Sequence, residues 1–183
     1  MARIAISGTH LTGKSTLIDE LAAHLPGYVT VPEPYEVLVE RGYEFAHPPT
    51  VEEFVLQLRQ SLALHRRGAP NIIFDRCPLD FVAYILASPG AERFDIEAWR
   101  APIAAAIASL DLIVAIHIDP ERDPIGFVDD AAFRSAVDDE LRDLINDDRL
   151  ELCGDVEILP LAGPWDRRVN ITLASIDKMR QRG

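Results

Sequence analysis

The 183-residue chain is 48% apolar and 26% charged, a balance typical of a soluble globular protein, and its length predicts a single domain spanning residues 1–183. Its apolar stretches are too short for a membrane helix, and its amino terminus reads directly into a predicted strand, so we expect neither a membrane partner nor a secretory signal. The formal net charge is −12, of which residues 119–157, with fourteen acidic and four basic residues, contribute −10; such a segment repels polyanions and argues against a nucleic-acid partner.

Cysteine usage indicates a cytoplasmic protein. Cys77 and Cys153 are the only cysteines, and neither lies in a disulfide framework or a metal-ligand spacing, which favours a reducing compartment. The acidic segment is interpreted as a solvated helix face. A monomer and a homodimer are both compatible with this composition.

Short apolar runs alternate along the chain with longer amphipathic segments. The apolar runs predict strands over residues 3–7, 28–31, 71–74, 112–118 and 156–161. The amphipathic segments predict helices over residues 13–25, 50–67, 79–87, 131–146 and 166–180, and a further helix from Asp95 that Pro102 should kink or restart. Apolar strands separated by helices predict a parallel sheet covered on both faces, with ligands bound at the carboxyl ends of the strands.

The loop after the first strand carries the most specific motif in the chain. It reads Gly8-Thr9-His10-Leu11-Thr12-Gly13-Lys14-Ser15-Thr16, which is the P-loop pattern GxxxxGK[ST]. Glycines allow successive backbone N–H groups to turn towards phosphate oxygens, and the following helix points its positive end at the same anion. Lys14 is expected to reach the β and γ phosphates and Ser15 to bind Mg²⁺, so the motif predicts binding of ATP with magnesium.

The third strand ends at a second group of candidate residues. Asp75 follows an apolar strand and is expected to hold Mg²⁺ beside Ser15. Arg76 places a permanent cation next to the same site, where it can act as a phosphate clamp. For Asp80 two interpretations stay open, a cap for the next helix or a contact with the ligand.

The acceptor side of the site is predicted from the second strand and the helix after it. Glu33 lies between two prolines, where a carboxylate can act as general base for a hydroxyl acceptor; the alternative is a surface turn. Tyr35 either stacks on a base or sugar or fills the rim of the site. Gln57 adjoins the apolar stripe of its helix and is expected either to be solvent-exposed or to reach a nucleobase edge.

Two later segments supply arginines that could reach the phosphates. The segment after the fourth strand, roughly residues 119–146, is a candidate lid in which Arg134 and Arg122 are the first candidates and Arg142 the third. The segment from Gly163 to Arg168 follows the fifth strand, and there either Arg167 helps to hold the adenine or an ordinary helix begins.

The order of these motifs resembles the nucleoside and nucleotide kinase group of P-loop proteins. The resemblance rests on Gly8–Thr16, then Glu33-Pro34, then Asp75-Arg76-x-Pro78-Leu79-Asp80 and an arginine-bearing segment after the fourth strand. The chain most resembles the small AAA-type ATPase/kinase set that includes ribosylnicotinamide kinase domains. It resembles deoxynucleoside and thymidylate kinases more distantly.

The resemblance implies a three-layer P-loop NTPase fold of the α/β class, with a five-stranded parallel sheet in the order 2-3-1-4-5 and a lid after strand 4. It also implies Glu33 as base, Asp75 as the acid on the metal side and Arg76 as the phosphate clamp. Thymidylate kinases would have an arginine before the residue that matches Glu33, and this chain has none there. It also lacks a lid with several arginines. The sequence therefore predicts a Mg-ATP-dependent kinase for a nucleoside-like or sugar-like hydroxyl, in which either Glu33 or Asp75 accepts the proton. A nucleotide monophosphate kinase and a regulatory P-loop ATPase are the alternatives.

Overall fold

The computed structural model describes residues 2–66, 68–119 and 130–182 of the chain. Within them the strands are β1 (Arg3–Ser7), β2 (Val29–Val31), β3 (Ile72–Asp75), β4 (Leu112–Ile116) and β5 (Glu157–Leu161). The α-helices are α1 (Lys14–His24), α2 (Pro34–Glu40), α3 (Val51–His65), α4 (Pro78–Ala87), α5 (Ile96–Ile107), α6 (Ala131–Asn146) and α7 (Trp165–Arg182), with a 3-10 turn at Ala91–Arg93.

The strands form one parallel sheet in the order β2-β3-β1-β4-β5, which confirms the predicted fold class. Side chains of successive residues point to opposite faces of such a sheet, and β1 shows the alternation. Ala5 packs into a core under α3, α4, α5 and α6, whereas Ile4 and Ile6 pack into a second core with residues of α1 and α7. Burial on both faces explains why the central strands are uniformly apolar.

The parallel register brings the ends of β1, β3 and β4 to the same edge. Ile6 pairs with Asp75 of β3, and Ser7 pairs with Ala115 of β4. The backbone N–H of Arg76 then donates to Ile6 O at 3.0 Å, so the residue after β3 is still hydrogen-bonded to β1. The P-loop and the Asp75-Arg76 pair are therefore neighbours because of the sheet register.

Two helical segments differ from their predictions. Helix α2 was not predicted, because its seven residues are too few to show a helical apolar period; Pro34 occupies its first turn, where the missing N–H is tolerated. Of the two outcomes expected at Pro102, a kink or a restart, the restart is wrong, since α5 continues through this residue. Packing of Ile103, Ala106 and Ile107 into the core outweighs the loss of one backbone hydrogen bond.

The predicted caps of α3 and α5 are confirmed. Thr50 and Glu53 form the predicted capping box of α3, and Asp95 caps α5 by accepting from the backbone N–H of Glu97. Cys77 and Cys153 are free and buried. Of the helices described, none has the length and apolar character needed to cross a membrane.

His65 is a buried titratable residue at the end of α3. Its ring stacks on Phe74 at 4.1 Å, and its Nδ1–H donates to Ser61 O at 2.9 Å, while Nε2 is buried with no partner among the described residues. Burial lowers the pKa of His65 to about 4; the hydrogen bond to Ser61 opposes this shift and the charge of Arg3 adds to it, and the folded protein keeps the ring neutral.

We expect this histidine to make the fold acid-sensitive between pH 6.5 and 4. In that window the unfolded chain binds a proton that folded His65 does not, so stability falls as the pH falls. Urea unfolding at a series of pH values should show that His65→Gln removes about 3 kcal/mol of this pH-dependent loss. The exposed His24→Gln serves as control, and equal pH slopes for wild type and His65→Gln would contradict the expectation.

Candidate active site

The P-loop joins β1 to α1 and needs both of its glycines. Gly8 has φ 150° and lies against β4 so closely that a Cβ would overlap the Ile116 carbonyl oxygen. Gly13 caps α1 at φ 87°, where a Cβ would lie 3.2 Å from the Trp165 ring at the start of α7. Each position combines a left-handed backbone with a close neighbour, so only glycine fits without strain.

Cationic side chains hold the carbonyl groups of the P-loop. The contacts are Arg76 Nη1 to Gly8 O at 2.7 Å, Lys14 Nζ to Thr9 O at 2.8 Å, Arg134 Nε to His10 O at 2.9 Å, Arg134 Nη2 to Leu11 O at 3.4 Å and Arg168 Nη1 to Thr12 O at 3.0 Å. The donors come from α1, α6, α7 and the turn after β3. The carbonyl groups of consecutive residues are thus held by positively charged side chains. These charges give the loop the positive electrostatic potential that favours binding of a polyphosphate.

Asp80, on the first turn of α4, connects the P-loop to the end of β3. Its carboxylate accepts from Ser7 Oγ at 2.8 Å, from the Gly8 backbone N–H at 2.8 Å and from the Cys77 backbone N–H at 2.9 Å. It also lies 3.4 Å from Arg76 Nη1 and is almost completely buried. Of the two roles left open by the sequence, the structure supports the cap, and the same carboxylate fixes the beginning of the P-loop.

The buried Arg76 forms an ion pair with the partly buried Glu33, with Arg76 Nε 3.0 Å from Glu33 Oε2. Burial alone would raise the pKa of Glu33, but the charges of Arg76 and Lys14 outweigh it and lower that pKa. Burial would likewise lower the pKa of Arg76, but the neighbouring acidic groups, Glu33 first, raise it well above its usual value. Glu33 is therefore ionised, and the predicted phosphate clamp Arg76 is engaged with protein groups.

Lys14, Ser15 and Asp75 lie together and fit a magnesium-bound triphosphate. Ser15 Oγ is 3.4 Å from Asp75 Oδ2, and Asp75 Oδ1 is buried with no hydrogen-bond partner among the described residues. Hydroxyl and carboxylate oxygens are the ligands that Mg²⁺ prefers. Burial raises the pKa of Asp75 to about 6, against the charges of Lys14 and Arg76. Burial, followed by the charge of Arg76, lowers the pKa of Lys14 to about 8, so both groups are charged at pH 7.

A cavity of about 630 Å³ opens beside Glu33 and Arg76. Its wall includes Tyr35 and Gln57 from the acceptor-side prediction and three packed aromatic rings. Phe54 stacks on Tyr84 with centroids 5.1 Å apart, and Phe133 lies 6.0 Å from Tyr84. The polar side chains of the wall thus lie within a mainly aromatic surface, which is typical of a small-molecule site.

The predicted acceptor-side residues lie at this cavity, with one difference in exposure. Tyr35 lines it and stacks on Phe45 at 4.6 Å. Gln57 is 4% exposed, so the expectation of a solvent-exposed side chain is wrong. Its Nε2 donates a long hydrogen bond to Glu53 O at 3.4 Å, and the residue lines the cavity wall.

Of the arginines predicted from the two later segments, one contacts the P-loop in the described part of the chain. Arg134 lies on α6 and is buried against the P-loop carbonyls, Arg142 pairs with Asp138 at 3.1 Å, and Arg167 is exposed on α7. Arg122 lies outside the described residues. The sequence interpretation missed Arg168, which is 5% exposed and also donates to Gly163 O at 2.9 Å. Its position next to Val169, on the buried stripe of the predicted helix, was the available signal.

Comparison with known proteins gives a family. Residues 3–157 match the family described as an AAA domain. The chain belongs to this family. No curated protein matches it.

Solved structures of two kinases share the fold of this AAA domain. Deoxyadenosine kinase from M. mycoides with bound dATP superposes with a TM-score of 0.62 at 15% identity, covering 97% of this chain and 100% of that one. The same enzyme with its products gives 0.66 at 16% identity, covering 96% and 98%. Thymidylate kinase from Candida albicans gives 0.63 at 15% identity, covering 98% and 92%. The neighbours show that the architecture is that of P-loop nucleoside and nucleotide kinases.

We expect Asp80→Asn to destabilise this AAA domain by about 3 kcal/mol, because an amide cannot accept all the hydrogen bonds of the buried carboxylate and leaves donors unpaired. Urea unfolding at pH 7 measures the change. The exposed Asp19→Asn is the matched control on α1. If both variants unfold at the wild-type urea concentration, Asp80 does not hold the P-loop in the way its contacts indicate.

Proposed function

We propose that this protein is a Mg²⁺- and ATP-dependent kinase that phosphorylates a hydroxyl group of a small, nucleoside-like or sugar-like molecule. The observation that carries the proposal is the ionised carboxylate of Glu33, which lines the cavity beside the P-loop and is held by Arg76 at 3.0 Å. A carboxylate in that position can accept the proton that a hydroxyl acceptor must lose.

The charge of the cavity favours a hydroxyl acceptor over a phosphate acceptor. Along the part of the wall that the structure describes, Arg76 is the only side chain with a positive charge at neutral pH, and Glu33 pairs with it. Asp130 adds a further acidic group at the rim. A phosphate acceptor would bring two more negative charges towards these carboxylates without a dedicated arginine to bind them.

The shape and chemistry of the wall favour a flat, partly polar molecule. Phe54, Tyr84 and Phe133 offer aromatic surfaces, and the buried amide of Gln57 offers a donor and an acceptor in one plane. Such an amide can form paired hydrogen bonds with a heterocycle. The neighbour named deoxyadenosine kinase lends support to a nucleoside-like acceptor.

Mg²⁺-ATP, when bound, supplies the phosphoryl group and the cation that neutralises charge on it. Ser15 and Asp75 are the proposed magnesium side of the site, and Lys14 with the P-loop N–H groups is the proposed phosphate side. Glu33 takes the proton of the acceptor hydroxyl, while Arg76 keeps the carboxylate oriented and charged. Arg134 and Arg168 act indirectly, by holding the P-loop carbonyls.

Lys14→Ala should reduce phosphoryl transfer roughly a hundredfold or more, because the mutation removes the cation nearest the transferred group. Turnover is measured by ATP consumption in a screen of nucleosides, nucleoside monophosphates and sugar-like alcohols with Mg²⁺. Lys178→Ala removes the only other lysine, which is exposed on α7, and should match wild type. Full turnover by Lys14→Ala would refute the proposed role.

Glu33→Gln should lower kcat for the acceptor roughly a hundredfold or more and leave ATP binding unchanged, because it removes a base on the acceptor side. The exposed Glu36→Gln, in the first turn of the helix that Glu33 precedes, is the matched control. Turnover with monophosphates alone would favour the nucleotide kinase alternative. ATP hydrolysis that no small acceptor stimulates would favour the regulatory ATPase.

A further inference from the structure

His10, the third residue of the P-loop, has a side chain that the proposed function does not yet use. Its backbone is held on both sides, because its N–H donates to the Tyr84 phenol oxygen at 3.1 Å and its carbonyl accepts from Arg134 Nε at 2.9 Å. The half-buried ring lines the acceptor cavity together with Glu33. His10 therefore lies where the phosphate-binding loop meets the acceptor.

Tyr84 determines which ring nitrogen of His10 carries the proton. The phenol oxygen already accepts from the His10 backbone N–H, and His10 Nδ1 lies 3.2 Å from it. Among the described residues, Nδ1 is the one acceptor in reach of the phenol hydrogen, and Tyr84 is 7% exposed, so leaving that hydrogen unbonded would be costly. Nδ1 therefore accepts, and a neutral ring must carry its hydrogen on Nε2.

The surroundings keep the His10 ring neutral. Burial, together with the positive charges of Arg76, Arg134 and Lys14 and against the charge of Glu33, lowers the pKa of His10 to about 4. At neutral pH the ring is thus an uncharged donor through Nε2–H.

We propose that His10 is a specificity-determining residue whose Nε2–H donates a hydrogen bond to a second, uncharged oxygen of the acceptor, next to the hydroxyl that is phosphorylated. This inference rests on the proposed function. The attacking oxygen gives its proton to Glu33 and needs its lone pairs for the new bond, and a donor on that oxygen would weaken it as a nucleophile. A neighbouring hydroxyl, as in a sugar or another polyol, accepts the hydrogen bond from His10 and leaves the nucleophilicity of the attacking oxygen unchanged.

The test compares an acceptor that the wild type phosphorylates with an analogue that lacks the neighbouring hydroxyl. Losing one neutral hydrogen bond should raise the acceptor KM of the wild type roughly tenfold for the analogue. His10→Phe keeps a flat ring without a donor and should show that higher KM for both acceptors, with the KM for ATP unchanged. His10→Gln replaces the donor with an amide N–H and should restore part of the discrimination.

An independent measurement reads the ring itself. Long-range ¹H–¹⁵N NMR of histidine-labelled protein, with the signal assigned from its loss in His10→Phe, should show the Nε2–H form at pH 7. Tyr84→Phe should release the ring to a mixture of both forms. An Nδ1–H form or a charged ring in the wild type would overturn the inference and leave the proposed function standing.

The outcomes separate the two proposals. If the wild type phosphorylates a hydroxyl acceptor and His10→Phe discriminates between the two acceptors as strongly as the wild type does, the inference about His10 alone is wrong. If no hydroxyl compound is phosphorylated, the proposed function fails and the inference fails with it. Discrimination lost in His10→Phe and partly restored in His10→Gln supports both.

Discussion

The buried guanidinium of Arg76 is the contact on which the rest of the site depends. It touches a carboxylate on each side, Glu33 at 3.0 Å and Asp80 at 3.4 Å, and donates to Gly8 O at 2.7 Å. Three segments distant in sequence, the P-loop, the start of α2 and the start of α4, are thereby joined by one cation. Because each of these carboxylates would be costly to bury alone, removing the cation would disturb all three segments together.

The same arrangement prepares the P-loop for an anion. Cationic side chains from several elements hold the carbonyl groups, so the loop is shaped before any ligand arrives, and the cations add positive potential at the same point. Preorganised charge costs no rearrangement during the reaction, which is the main way in which proteins stabilise phosphoryl transfer. The carboxylate of Asp80 balances part of this positive charge, and it contacts Ser7 and Gly8 at the beginning of the loop.

Local sequence signals were reliable where the chain itself supplies the physical cause. The P-loop glycines, the capping box of Thr50 and the apolar strands all act over a few residues, and each was found in the structure. Predictions failed where packing outweighs local preference: α5 continues through Pro102, and Gln57 is buried at the cavity wall. For Arg167 and Arg168 the buried stripe of the predicted helix offered a signal that favours Arg168, and the docking of α7 brings Arg168 to the P-loop carbonyl.

By itself the sequence determined the α/β fold class, the phosphate-binding loop and the residues Glu33, Asp75 and Arg76 as neighbours at the strand ends. These follow from spacing along the chain and from the strand order that the family resemblance implies. The three-dimensional packing was needed to show that Arg76 binds Glu33 and Asp80, that Tyr84 orients His10, and that aromatic rings from α3, α4 and α6 line one cavity. The reason is that pairing between distant side chains depends on distances of a few ångströms, which spacing along the chain does not encode.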